Sequence, residues 1–140
     1  MNNFLKPLIL VVDDNPSNLA MIGKLLSYNG YKVDLSGSGE DALKSIKNKK
    51  PDLVVLDLVM PGMDGLEVCK KLKNDSETHH IPILFCSGST ERKDIKNCFD
   101  AGGADYTIKP IESILLLSRI ETHLELNRLR RQHQQDKKND

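Results

Sequence analysis

The chain has 140 residues, with 20 acidic and 20 basic side chains and therefore a formal net charge of zero. This balance argues against the basic surface of a nucleic-acid-binding protein, and 4% aromatic residues without tryptophan argue against base stacking. The apolar runs are far shorter than the roughly 20 residues of a membrane span, and the three widely spaced cysteines are typical of reduced thiols. We therefore expect one cytoplasmic domain that neither crosses a membrane nor binds nucleic acid directly.

Five strand-like segments alternate with five segments of helical periodicity along the chain. Leucine, isoleucine and valine dominate the strands, which is typical of strands buried on both faces of a parallel sheet. Capping residues mark several helix starts, among them Asn15, Ser38 and Asp64. The alternation predicts a doubly wound, five-stranded, flavodoxin-like α/β domain. The predicted strands are Leu8–Val12, Tyr31–Leu35, Leu53–Leu56, Ile81–Cys86 and Ala104–Ile108.

Polar side chains follow four of the five predicted strands. Because the carboxyl ends of parallel strands share one edge of a sheet, these side chains should converge. Crowded carboxylates repel one another unless a cation joins them, and oxygen ligands favour Mg²⁺. An ammonium and a hydroxyl beside that ion suit a bound phosphoryl group. The residues concerned are Asp13, Asp14, Asp57, Ser87 and Lys109.

Asp57 is the central candidate, since an aspartate carboxylate can itself act as a nucleophile and form an aspartyl phosphate. A lone aspartate at a strand end is more often a turn or cap residue, and we interpret Asp64 in that way. The joint occurrence of acids, a hydroxyl and a lysine on successive strand ends favours a phosphoryl-transfer site. The sequence therefore predicts chemistry at Asp57.

These residues lie in segments that resemble the receiver domains of response regulators in two-component signalling. The resemblance covers about residues 7–122. One segment downstream is also similar to receivers fused to a C-terminal output domain, such as a cyclic-dinucleotide enzyme or a kinase. The matching segments are Val11–Asn15, Leu56–Gly65, Ala101–Tyr106 and Ile108–Pro110, with Arg119–Leu126 for the fused receivers.

The resemblance implies a role for each acidic residue. Asp57 would be phosphorylated by a histidine kinase, a phosphotransfer protein or a small phosphodonor. Asp14 and Asp57, with the backbone carbonyl of Val59, would hold Mg²⁺, and Asp13 would act through a metal-bound water. Such a domain catalyses only its own phosphorylation and dephosphorylation. The Val59 side chain cannot position an attacking water, so we expect slow dephosphorylation.

The resemblance also implies how the signal is read. Ser87 and Lys109 would bind phosphoryl oxygens, and Tyr106 would turn inward as Ser87 moves toward the phosphoryl group. Some positions depart from the commoner pattern: Ser87 stands where threonine is usual, Gly88 where alanine is usual and Ile111 where phenylalanine is frequent. The glycine predicts a more mobile loop.

The last helix carries an apolar pattern that continues beyond a receiver domain. We predict a receiver domain at 1–124 and a helical extension at 125–140 that dimerises or leads to an output domain. A frayed polar tail is the simpler interpretation of the extension. The pattern consists of Ile114, Leu117, Ile120 and Leu124.

Two other functions remain open. The first is a degenerate receiver that acts as a constitutive dimerisation or interaction module, which the complete set of polar residues disfavours. The second is a Mg²⁺-dependent phosphatase that uses an aspartyl nucleophile. A missing cap domain argues against it, as does Val59, which stands two residues after Asp57 where a second acid would be needed.

Overall fold

The computed structural model describes residues 6–139. Five strands alternate with five helices, as the sequence predicts. In chain order the elements are β1 (Leu8–Val12), α1 (Pro16–Tyr28), β2 (Lys32–Ser36), α2 (Gly39–Asn48), β3 (Leu53–Asp57), α3 (Gly65–Lys73), β4 (Ile83–Ser87), α4 (Arg92–Asp100), β5 (Asp105–Ile108) and α5 (Ser113–Asn139).

The strands form one parallel sheet in the order β2-β1-β3-β4-β5. The strand order reverses between β1 and β3, which are hydrogen-bonded neighbours in the middle of the sheet. In open α/β sheets this reversal leaves a crevice at the carboxyl ends of the two strands. The prediction of a doubly wound, flavodoxin-like domain is therefore confirmed.

Helices cover both faces of the sheet. Alternate residues of β1, β3 and β4 point to opposite faces, so each strand is buried on both sides. One core lies between the sheet and helices α2, α3 and α4 and contains the fully buried Phe85. The other lies beneath α1 and α5, whose Leu26 and Leu116 are fully buried.

The predicted caps form where the sequence places them. The Asn15 side chain accepts hydrogen bonds from the backbone N–H groups of Ser17 and Asn18. Ser38 caps α2, and Asp64 accepts from the third residue of α3 at 3.0 Å. Each bond satisfies an N–H that a helix start leaves without an internal partner. Asp64 thus has the local role that we expected.

The start of β4 differs from the prediction, because β4 begins at Ile83 and not at Ile81. The polar segment before it is a hydrogen-bonded turn, in which the buried Thr78 hydroxyl donates to the carbonyl of Leu72 at 2.7 Å. The ammonium of Lys73 also donates to two carbonyls of this segment. Both the N–H and the carbonyl of Ile81 are hydrogen-bonded within this turn, so Ile81 lies outside β4.

The structure decides which side of α5 packs on the sheet. Ile114 is 78% exposed, whereas Leu116 and Ile120 are fully buried. Leu117 and Leu124 pack only partly against the core. Since residues 114–117 are all apolar, their pattern could not determine which of them faces the sheet. Among residues 6–139, no helix is both long and apolar enough to cross a bilayer.

Candidate functional site

The predicted polar residues converge at the carboxyl edge of the sheet. Val12 and Leu56 are partners in the register of β1 and β3, so Asp13 and Asp57 follow side by side. The end of β4 supplies Ser87, whose carbonyl accepts the backbone N–H of Lys109 at 2.8 Å.

Three carboxylates lie together in this edge. One oxygen each of Asp13, Asp14 and Asp57 lies within 4.8 Å of the others. Asp13 and Asp57 are only 2% and 5% exposed, whereas Asp14 is open to solvent. The single ammonium of Lys109 cannot balance three negative charges, so the cluster fits a divalent cation with oxygen ligands. The residues present therefore suit Mg²⁺.

Lys109 bridges two of these carboxylates. Its Nζ lies 2.9 Å from Oδ2 of Asp13 and 3.4 Å from Oδ1 of Asp57. Burial by itself would lower the pKa of the ammonium. The hydrogen bond to Asp13 and the negative charges of Asp57 and Asp13 outweigh burial, so the pKa is raised. Lys109 therefore remains a cation next to the central carboxylate.

Asp57 itself is held in an unfavourable environment. Burial raises the pKa of its carboxyl group to about 6, and the charge of Lys109 opposes this rise. The charge of Asp13 raises the pKa further, while hydrogen bonds from Lys109 and the Val59 backbone lower it. Near pH 7 the group is mostly ionised, yet its charge is costly. A cation or a covalent partner at Asp57 would relieve that cost.

The two neighbouring aspartates differ in how their oxygens are used. Oδ1 of Asp13 accepts the backbone N–H of Asn15 at 2.9 Å, and its Oδ2 accepts Lys109 and the amide of Asn18. Within residues 6–139 the structure contains no hydrogen bond to the carboxylate of Asp14. The Asp14 carboxylate is therefore the more available of the two for a new ligand.

The backbone of Asp57 is positioned by a glycine that sequence reasoning missed. Gly65 opens α3, and its N–H donates to the carbonyl of Leu58 at 2.9 Å. A Cβ at this position would lie 2.2 Å from the carbonyl oxygen of Asp57. The available signal was a glycine directly after the capping Asp64, where most residues would serve a helix better. Only glycine lets α3 approach the strand end this closely.

Tyr106 already lies inside the domain. Its ring is 7% exposed, and its hydroxyl donates to the backbone carbonyl of Ser89 at 2.7 Å. Burial raises the pKa of the phenol, and the nearby hydroxyls of Ser87 and Ser89 oppose the rise. The resemblance implied that Tyr106 turns inward as Ser87 moves toward a phosphoryl group, and a half-buried strand residue was the simpler interpretation. Sequence reasoning did not identify Ser89 at all.

The cysteines take no part in this site. Cys69, Cys86 and Cys98 are buried free thiols. Burial raises the pKa of the Cys86 thiol to about 12, so it carries no thiolate near pH 7. Cys86 is a packing residue beside Ser87, as the sequence predicts.

The family model described as the response regulator receiver domain matches residues 9–121. The chain belongs to this family. The matched range contains every residue of the candidate site, so the receiver domain and the site coincide. The recognition of a receiver domain from the sequence is confirmed.

Relatives of this receiver domain are longer proteins. The chain is 40% identical over 120 residues to a Vibrio cholerae protein named "Probable cyclic di-GMP phosphodiesterase", covering 86% of this chain and 27% of that protein. It is 37% identical over 119 residues to the DNA-binding response regulator MtrA of Mycolicibacterium smegmatis, covering 85% of this chain and 51% of MtrA. The chain thus spans about a quarter to a half of these relatives.

A solved structure of similar size is the chemotaxis protein CheY4 of Vibrio cholerae. The TM-score is 0.81 at 26% sequence identity, and the match covers 84% of this chain and 98% of CheY4. The receiver domain therefore has the fold of CheY4, and its last helix, α5, runs from Ser113 to Asn139.

Proposed function

We propose that this receiver domain is a phosphorylation-dependent switch in which Asp57 accepts a phosphoryl group. The observation that carries the proposal is the position of Lys109. Its ammonium bridges Asp13 and Asp57, and its backbone N–H donates to the carbonyl of Ser87. A lysine in this position can neutralise phosphoryl oxygens as they arrive, and the serine hydroxyl can donate a hydrogen bond to them.

The transfer requires Asp57 to be ionised. One carboxylate oxygen forms the new bond to phosphorus, while the bond from phosphorus to the donor's nitrogen or oxygen breaks and its electron pair leaves with the donor. With a pKa of about 6, Asp57 is mostly a carboxylate near pH 7 and a stronger base than an exposed aspartate. Burial thus makes the Asp57 carboxylate a stronger nucleophile, while most of it stays ionised near pH 7.

Asp14, Asp57 and the backbone carbonyl of Val59 would hold Mg²⁺, with Asp13 acting indirectly. The oxygens of Asp13 are already engaged by Lys109 and two other donors, which supports this division. When bound, the ion neutralises the charge that builds up on the phosphoryl oxygens. The protein's own part is to hold these three oxygen ligands and the Lys109 ammonium at the carboxyl edge of the sheet.

The proposed partners follow from the same function. A histidine kinase or phosphotransfer protein would supply the phosphoryl group in the cytoplasm, and the domain would catalyse only its own phosphorylation and dephosphorylation. Residues 1–124 would form the receiver domain, and 125–140 a helical extension toward a second copy or an output domain. The longer relative MtrA is named a DNA-binding response regulator. We propose that this chain itself does not bind nucleic acid directly.

The deciding experiment is incubation of the purified protein with acetyl phosphate and Mg²⁺, followed by intact-mass measurement. We expect one phosphoryl adduct per chain, lost in Asp57→Asn and retained in the matched control Asp100→Asn, whose carboxylate pairs with Lys96 on the surface. An adduct that persists in Asp57→Asn would contradict the proposal. Multiple turnover of an organic phosphate would favour a phosphatase instead.

A second measurement tests the metal ligands. We expect Mg²⁺ to raise the unfolding temperature of the parent protein, because a ligand that binds only the folded state stabilises it. Asp14→Asn should weaken Mg²⁺ affinity on the order of tenfold or more, and Asp13→Asn should weaken it less. Equal losses in the two variants would contradict the proposed division of roles.

A further inference from the structure

The loop between β4 and α4 is organised by one residue, Ser89. Its N–H donates to Oγ of Ser87 at 3.2 Å, and its carbonyl accepts the hydroxyl of Tyr106 at 2.7 Å. Its own hydroxyl accepts the N–H of Glu91 at 3.2 Å and donates to Oδ2 of Asp94 at 2.5 Å. Every polar group of Ser89 is therefore used.

Asp94 is the charged member of this arrangement. It lies in the first turn of α4, half-buried, where a negative charge is favoured by the helix dipole. A hydrogen bond to a carboxylate is stronger than one between neutral groups. Glu91 precedes the helix without a side-chain cap bond, so Ser89 and Asp94 supply the side-chain anchor at this helix start.

The residues around Ser89 offer little other restraint. Gly88 is exposed, and a Cβ built on it would contact nothing within 4 Å. Thr90 is exposed as well. Without the anchor from Asp94, the position of the Ser89 carbonyl would be set mainly by a short solvated segment.

That carbonyl is the backbone acceptor for the buried hydroxyl of Tyr106. A buried phenol needs a hydrogen-bond acceptor, because an unpaired polar group in the interior is costly. Tyr106 finds this acceptor in the Ser89 carbonyl. The Ser89 N–H meanwhile donates to Oγ of Ser87 and so helps to fix the position of that side chain.

We propose that the hydrogen bond between Ser89 and Asp94 is a positioning latch. It holds Tyr106 inward and Ser87 in place before phosphorylation, so that the unmodified domain is already biased toward the conformation that binds a phosphoryl group. This inference rests on the proposed role of Asp57. A domain whose competent conformation is more populated reacts faster and binds phosphoryl analogues more tightly, in proportion to that population.

The first test observes Tyr106 directly by NMR of protein carrying ¹³C-labelled tyrosine. The chain has three tyrosines, and Tyr28 is 92% exposed, so it provides an internal reference for a solvated ring. Tyr106→Phe assigns the signal. We expect Asp94→Ala and Ser89→Ala to move the Tyr106 signal toward that of Tyr28. The control Asp100→Ala, in the same helix, should leave it unchanged.

The second test measures function in the same variants. Asp94→Ala and Ser89→Ala should lower the rate of phosphorylation by acetyl phosphate, and the affinity for beryllofluoride, by about five- to tenfold. Ser89→Thr keeps the hydroxyl and should restore both values. The two alanine changes combined should cost little more than either alone, because both remove the same bond.

The latch is overturned if Asp94→Ala leaves the Tyr106 signal where Asp100→Ala leaves it and if the phosphorylation rates of the two variants agree within twofold. If Asp94→Ala does not fold, Asp94→Asn is compared with Asp100→Asn, and a shift of Tyr106 in the former alone supports the latch. Failure of the parent protein to become phosphorylated would overturn the function of Asp57. The Tyr106 signal would still decide whether the latch holds.

Discussion

Asp57 shows how burial and charge compete at a single residue. Its carboxylate lies at the end of a strand that is buried throughout, and it meets one cation and two acids. Burial is the larger effect, so its pKa rises to about 6 although Lys109 is in contact. The charge therefore destabilises the folded protein at neutral pH, in contrast to most paired aspartates.

This makes stability depend on pH in a definite direction. The pKa of Asp57 is 3.8 in the unfolded chain and about 6 in the folded one, so the folded state binds the proton more tightly. Stability should therefore fall as pH rises from about 4 through 6. Asp57→Asn should raise the free energy of unfolding at pH 8 by about 1–2 kcal/mol, with solvent screening included, and little at pH 4.

Urea denaturation of the parent, Asp57→Asn and Asp100→Asn at the two pH values, without divalent cations, measures the effect. Asp100 is a surface residue paired with Lys96, so its variant controls for the loss of one negative charge. A gain in Asp57→Asn that is the same at pH 4 and pH 8 would show that burial of the charge is not its cause.

The side chain of Val59 should set the lifetime of the phosphorylated state. Its side chain is 70% exposed beside the site and has no polar atom. Because it cannot orient a water toward an acyl phosphate, we expect the phosphorylated protein to persist well beyond seconds. Val59→Asn should shorten the lifetime severalfold, measured by loss of the adduct mass after removal of acetyl phosphate. A half-life of a few seconds for the parent protein would refute this explanation.

Among the elements, the turn between β3 and α3 is the most tightly constrained. α3 begins so close to the strand end that a Cβ on Gly65 would lie 3.0 Å from Cα of Leu58 and closer still to the Asp57 carbonyl. The atoms nearest to this Cβ belong to the backbone of Asp57 and Leu58, so no flexible side chain could move aside to make room. The sequence predicted the cap at Asp64 but not why the next residue is glycine.

Gly65→Ala should therefore destabilise the domain by about 2–3 kcal/mol and slow phosphorylation at Asp57, because the strand end must shift. Gly37→Ala is the matched control, since a Cβ there meets nothing within 4 Å and Gly37 lies outside the loop that carries Ser87. Thermal unfolding and the rate of adduct formation measure both effects. A Gly65 variant as stable as the Gly37 variant would mean that the close approach can relax.

At the scale of the whole molecule, α5 has two parts. Its first half packs on the sheet through Leu116 and Ile120, and is fastened to β5 where Arg119 and His123 contact Asp105. Residues 125–137 are exposed apart from the half-buried Asn127. The second half thus adds little to the core, although Leu126 and Leu129 expose apolar surface.

Truncation after Leu124 should leave the receiver domain folded, with the free energy of unfolding changed by less than about 1 kcal/mol, because few buried contacts are removed. Phosphorylation at Asp57 should persist. Any dimer seen by analytical ultracentrifugation in the full chain should be lost with the exposed Leu126 and Leu129. A truncated chain that fails to fold would move the domain boundary past residue 124.

The sequence by itself determined the architecture and the set of candidate residues. Strand-like segments and capped helices in alternation admit few folds, and the position of each polar residue after a strand implies a shared edge. The confirmed predictions are the five parallel strands, the doubly wound topology and the receiver family. The roles of Asp57, Lys109 and Mg²⁺ remain predictions.

The tertiary structure alone decided which face of α5 is buried, why residue 65 is glycine and how Tyr106 is held. In each case the cause is a contact between segments far apart in the chain. Four adjacent apolar residues leave the rotation of a helix open until a sheet lies against it. The need for glycine at residue 65 becomes visible only when the Asp57 carbonyl lies where a Cβ would be. The burial of Tyr106 is explained only by the Ser89 carbonyl that accepts its hydroxyl.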